Sequence, residues 1–122
     1  MKHLINWVEI PVANIGKATA FYSAIFNALK FNQMEMNGWQ YAMFPTEDTY
    51  NSGALVQGPD YRPAASGILI YLDGGKDLSK ILSRVDAAGG QVLMEKTFLG
   101  EGAGYVGMFK DIDGNKIGLQ HQ

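Results

Sequence analysis

Residues 4–12, "LINWVEIPV", are mostly apolar and β-branched, broken only by Asn6 and Glu9, and read as a strand. The pattern then changes. Ala18, Phe21, Tyr22, Ile25, Phe26 and Leu29 recur at helical spacing, so the pattern predicts an amphipathic helix over 15–28, with Asn14 as its N-cap. Three extended pieces follow, at 31–36, 39–45 and 52–57, and Asn37-Gly38 between the first two is a hairpin signal. Residues 58–66, "GPDYRPAAS", hold two prolines and show no period, so they read as a linker. After it the plan restarts: a strand at 67–73, a helix at 77–88 with Leu78, Ile81, Leu82 and Val85 on one face, a Gly89-Gly90 stop, and strands at 91–98, 105–109 and 116–120. Strand, helix and three strands thus occur twice, offset by about 60 residues. Neither half can bury its own sheet face well, so the halves are expected to pair as one domain over 1–122, with module one at 1–57 and module two at 67–122.

The residues "NWVEIPVANIGKATAFYSAIF" near the front and "AAGGQVL" with "GMFKDIDGNKIGL" near the back resemble the vicinal oxygen chelate superfamily, which includes glyoxalase I, fosfomycin and bleomycin resistance proteins and extradiol dioxygenases. The likeness covers essentially the whole chain, the repeat included, and is nearest to small single-domain glyoxalase-related proteins. It implies an α+β fold: two βαβββ modules form a curved mixed sheet, with helices on the convex side and the site on the concave side. It also implies a homodimer.

Metal-dependent members of that superfamily hold a divalent ion with about four histidine, glutamate or glutamine side chains from the first, fourth, fifth and eighth strands. Placed on this chain, those positions fall on Trp7, Ala54, Gly67 and Gly118, none of which ligates a metal. The expectation is therefore no metal and no other cofactor. Glu9, His3, His121 and Gln120 are the side chains able to substitute. Gly118 is odd in itself, because a glycine inside a strand packs nothing and costs backbone entropy. Something large is expected to approach it. Trp7 is the first candidate, either as an indole filling the space left by Ala54, Gly67 and Gly118 or as an aromatic floor for a planar ligand.

Alternation then sorts the candidate site. If Trp7 faces the concave side, so do Ile5, Glu9 and Pro11, with Leu69 and Tyr71 on the fifth strand and Gln120 on the eighth. Glu9 is either a general base or a carboxylate tied to Lys, Arg or Tyr, and Tyr71 either donates to it or is a half-exposed strand aromatic. The glycine-rich "FLGEGAGYVG", 98–107, lacks the Gly-Lys-Ser/Thr end of a phosphate loop and precedes a strand. It is read as a hairpin loop at the rim offering Glu101 and Tyr105, or as a plain turn. Met34, Met36, Met43, Met94 and Met108 fall in strands, as core filling or an adaptable lining.

Composition narrows the classes. The charge of −2 and the scattered basic residues argue against nucleic acid. No apolar run approaches the roughly 20 residues that span a bilayer, and "MKHLINWVEIPV" reads directly as a strand, so no membrane and no signal peptide are expected. The absence of cysteine leaves no disulfide, thiolate site or cysteine nucleophile and fits the cytoplasm. Two functions remain from these residues. The first is a metal-free, glyoxalase-related binding protein for a small, partly aromatic molecule, with Trp7, Glu9, Leu69, Tyr71, Glu101, Tyr105 and Gln120 as contacts and Glu9 and Tyr71 as candidate catalytic groups. The second is a metal-dependent glyoxalase-like lyase, isomerase or dioxygenase with non-standard ligands. A third possibility is an accessory domain that acts through a partner protein.

Overall fold

The computed structural model describes residues 4–46 and 51–121. Its order is β1 (Val8–Pro11), α1 (Ile15–Ile25), β2 (Asn32–Met36), β3 (Trp39–Met43), β4 (Gly53–Gln57), β5 (Ile70–Asp73), α2 (Leu78–Ala88), β6 (Gln91–Gly100), β7 (Gly104–Lys110) and β8 (Lys116–His121). The eight strands form two four-stranded mixed sheets of identical plan, ordered β1-β4-β3-β2 and β5-β8-β7-β6. In each, the first strand of the βαβββ unit runs parallel to the last and the remaining pairs are antiparallel. The α+β fold of two βαβββ modules is as the repeat in the sequence implied. No helix among the described residues is long and apolar enough to cross a membrane.

The helices start where the capping chemistry places them. The Asn14 carboxamide oxygen accepts from the Lys17 amide and the Asp77 carboxylate from the Ser79 amide, each satisfying a donor that the first turn leaves open. α1 ends three residues earlier than the periodicity predicts, because Asn27 and Ala28 take positive φ (62° and 69°) and the Ala28 amide turns back to the Ser23 carbonyl. α2 stops at Gly89, whose φ of 108° is a left-handed cap that a side chain would strain.

Two strands begin later than the sequence pattern alone suggests. β1 opens at Val8, paired with Gly53, and β5 opens at Ile70, paired with Ile117. Each opens within one residue of where its partner begins: β4 starts at Gly53 and β8 at Lys116. Strand length is set by the partner, which a one-dimensional pattern does not reveal. Residues 67–69, predicted as strand, therefore lie outside β5, and Gly67 takes a φ of 99°.

The inward rows of both sheets and the apolar stripes of both helices make one core. It contains Ile10, Val12, Phe21, Tyr22, Ile25 and Leu55 from the first module and Leu82, Val85, Phe109 and Leu119 from the second. Phe21 meets Tyr22 edge to face at 5.1 Å and Phe109 at 6.0 Å, so aromatic contact crosses between modules. Burying side chains of this size is worth about 2–3 kcal/mol each.

A polar knot closes the same junction. Asp111 is buried at the β7–β8 turn and accepts four hydrogen bonds: from the Tyr22 hydroxyl (2.7 Å), the Asn115 carboxamide (3.0 Å), and the amides of Asp113 and Asn115 (2.9 Å each). The Asn115 carboxamide also donates to the Pro11 carbonyl (2.7 Å) and accepts from the Ala64 amide (2.9 Å). One turn of the second module thus holds β1, α1 and the segment 58–66. Burial first, then the Asp111 charge and hydrogen bond, push the Tyr22 hydroxyl well above its ordinary range.

Candidate functional site

Because side chains alternate along β1, Val8 and Ile10 pack toward the core while Glu9 points to the opposite face, in register with Ala54 on β4. On that face, segment 58–66 folds back across the sheet. Trp39 donates its indole N–H to the Pro59 carbonyl at 3.4 Å, and the Tyr61 hydroxyl donates to Glu9 Oε1 in a short hydrogen bond. The other carboxylate oxygen, Oε2, accepts from the Trp7 indole N–H at 3.1 Å. Glu9 is thus a carboxylate that accepts from two neutral donors, one of them a tyrosine. Facing it raises the pKa of the Tyr61 hydroxyl to about 12, chiefly through the hydrogen bond, then through desolvation and the Glu9 charge.

Trp7 and Glu9 edge a groove of about 410 Å³ between β1 and the β5–β8 side of the second sheet. Trp7 and Glu9 lie on one wall, Ile68, Ile70 and Ile117 on the other, and Arg62 and Lys116 contribute the positive charge. Apolar walls with few polar groups, at this size, suit a small organic molecule.

The other candidate residues are distributed differently. Tyr71 and Gln120 line a separate, smaller depression with Leu72 and Asp73, and the Gln120 carboxamide donates to the Ala103 carbonyl at 3.0 Å. Tyr71 does not reach Glu9. Its ring lies instead over Gly118, its register partner on β8, where an added Cβ would fall 2.6 Å from the ring. The large group approaching Gly118 is thus Tyr71, and the expectation that Trp7 fills that space is corrected. Trp7 is 38% exposed at the groove, its indole turned to Glu9. Leu69 is half-buried just ahead of β5, and Glu101 is exposed in the β6–β7 turn. Tyr105 is not at a rim. It shares the face of Gly107, whose side is packed by Leu82 of α2, and its ring stacks on His121 with Lys96 above it at 4.7 Å.

Sequence reasoning missed Tyr61, the donor to Glu9; Arg62 and Lys116 in the groove lining; and Asp111 in the knot. The only local signal for the first two was an aromatic–basic pair set between the prolines of "GPDYRP".

The superfamily's metal does not fit the residues present. Ala54 and Gly118 offer no donor, Gly67 lies in a loop, and the Trp7 indole N–H is already spent on Glu9. The substitutes do not converge: Glu9 lies at the groove, Gln120 lines the separate depression beside Tyr71, and His121 stacks on Tyr105. His3 lies outside the described residues. Among the described residues, no group of three or more His, Cys, Asp or Glu side chains is placed to share an ion.

The sequence matches the model of the Glyoxalase/Bleomycin resistance protein/Dioxygenase superfamily over residues 4–119. The chain belongs to that superfamily. Among solved structures it is similar to a glyoxalase/bleomycin resistance protein from Albidiferax ferrireducens T118 (TM-score 0.67, 20% identity, covering 98% of this chain and 100% of that one). It is also similar to a glyoxalase-related enzyme from Fulvimarina pelagi (0.65, 14%, 100% and 89%). A third is the fosfomycin resistance protein FosX from Listeria monocytogenes (0.65, 18%, 100% and 92%). At these identities the likeness is one of fold. No curated protein matches the sequence.

Proposed function

We propose that this glyoxalase-related chain binds a small, partly aromatic organic molecule in the groove between its two sheets, without the superfamily's metal. The observation that carries this reading is the 410 Å³ groove itself, with the Trp7 indole half-exposed on one wall and three isoleucines opposite. The indole is fixed by its hydrogen bond to Glu9, so its face is presented with little conformational entropy left to lose on binding. Glu9, the acid of the groove, accepts one hydrogen bond on each oxygen, from Trp7 and Tyr61, which stabilises its ionised form and favours holding a ligand over abstracting a proton. Tyr71, the second candidate catalytic group, faces a different depression.

A homodimer accompanies this reading. Met34 and Met36 on β2 and Leu93, Phe98 and Leu99 on β6 leave apolar surface exposed on the outermost strand of each sheet.

The test is a titration of a Trp39→Phe variant, which leaves Trp7 as the sole fluorophore of its kind, with a panel of planar bicyclic aromatics. Saturable quenching or a spectral shift is expected. A linear response with every compound in the panel overturns the proposal.

A further inference from the structure

We infer that the molecule this groove takes is a planar aromatic carboxylate, recognised through Arg62 and Lys116; the inference rests on the binding role just proposed. The charge inventory of the groove leads there. Its lining holds two cations, Arg62 and Lys116, and one carboxylate, Glu9, in a chain whose overall charge is −2. The sign of the groove is therefore opposite to that of the molecule.

Among the described residues, neither cation forms an ion pair or a hydrogen bond. The ion pair formed among the described residues joins Lys96 to Asp77 at 3.7 Å, on the α2 side of the second sheet. Arg84, by contrast, is used structurally, donating to the Ile25 carbonyl at the end of α1 at 3.0 Å. Glu9 forms no ion pair with Arg62 or Lys116 among the described residues; its oxygens accept from Trp7 and Tyr61, and its one negative charge still leaves the two cations in excess in the lining. Two neutral donors thus hold the acid of the groove while two cations on its lining face solvent.

The geometry then sets the class of ligand. Arg62 presents a planar fork that matches a carboxylate in two parallel hydrogen bonds, and Lys116 adds a point charge. The surrounding surface of Ile5, Trp7, Ile68, Ile70 and Ile117 is apolar and includes one aromatic face. A ligand with a flat hydrocarbon body and a single carboxylate satisfies both halves of that surface. A small inorganic anion would leave the apolar walls uncovered, and a neutral aromatic would leave both cations unmatched.

The experiment compares 2-naphthoate with its neutral isostere 2-naphthamide by isothermal titration calorimetry on the full chain. The wild type and an Arg62→Gln/Lys116→Gln double variant are measured side by side; both substituted side chains are exposed, so the fold should be retained and circular dichroism checks it. The expected result is that the wild type binds the carboxylate at least about tenfold more tightly than the amide, and that the double variant loses this preference. The preference should also weaken as salt is raised. Equal binding of the two compounds by the wild type overturns the inference and leaves the groove a site for neutral aromatics. A preference that survives in the double variant overturns the assignment to Arg62 and Lys116. Binding of neither compound overturns the inference together with the reading on which it rests.

Discussion

Two tyrosine–carboxylate pairs stand at opposite places in this molecule, and their settings differ more than their chemistry. Tyr22 donates to Asp111 inside the core, where the acid is 3% exposed and has four hydrogen bonds. Tyr61 donates to Glu9 at the groove, where the acid is half-buried, has two hydrogen bonds, and meets a tyrosine carried on a segment between modules. A buried acceptor cannot lose a partner to water, so the first pair is structural cement. A half-buried one can trade a partner for solvent or a ligand at little cost. Burial, not residue type, separates the residue that holds the modules together from the one available for function.

Removing the core acid is the strongest way to break the comparison. Asp111→Ala leaves the Tyr22 hydroxyl and the Asn115 carboxamide without their buried acceptor and should destabilise the chain by about 3 kcal/mol or more in urea unfolding. A loss below about 1 kcal/mol would put Asp111 in the same class as Glu9. Tyr22→Phe is milder, because Asp111 Oδ2 keeps its bond from Asn115; about 1–2 kcal/mol is expected from the same measurement.

At the groove, Glu9→Gln should cost less than about 1 kcal/mol while changing the titration of Tyr61 clearly. In the wild type that hydroxyl ionises at about 12, raised above its unfolded value, so its contribution to stability is complete below pH about 10 and is lost as pH climbs through about 12. The variant removes both the acceptor and the negative charge, and ultraviolet difference titration should show one tyrosine moving back toward about 10. An unmoved high-pH tyrosine would mean that Glu9 does not face Tyr61.

The smallest effect is expected from Asp113, next to the core knot. Burial raises its pKa, partly offset by the hydrogen bond from the Ala13 amide, and its Oδ2 is buried with no partner. Its ionised form is the disfavoured one in the fold, so the penalty sets in as pH rises from about 3.8 and is complete at neutral pH. Asp113→Asn keeps an oxygen for Ala13 and should gain a few tenths of a kcal/mol, roughly, at pH 7 and none at acid pH, read from thermal melts at both.

Much of this organisation is legible in the sequence, for definite reasons. The repeat, both helices and the hairpins announce themselves through period and turn chemistry, which are local. Trp7 and Glu9 come together because they are two residues apart on an extended segment, Trp7 just ahead of β1, so alternation puts them on one face. The Tyr105 placement was recoverable by the same rule, since Tyr105, Gly107 and Phe109 share a phase and Phe109 is a core residue. Tyr61 and Arg62 were not recoverable: a segment without period says nothing about the surface onto which it folds. Gly118 signalled that something large approaches, yet the group is its register partner Tyr71, and register between strands distant in sequence is a tertiary fact.

The most direct test of the account is the indole N–H region of a proton–nitrogen NMR spectrum, with Trp7 and Trp39 assigned through their phenylalanine variants, during addition of 2-naphthoate. The account predicts that the Trp7 resonance shifts saturably while Trp39, bonded to Pro59 beneath the segment, stays in place. A Trp7 signal that does not move while the compound demonstrably binds elsewhere would contradict the groove as the functional site.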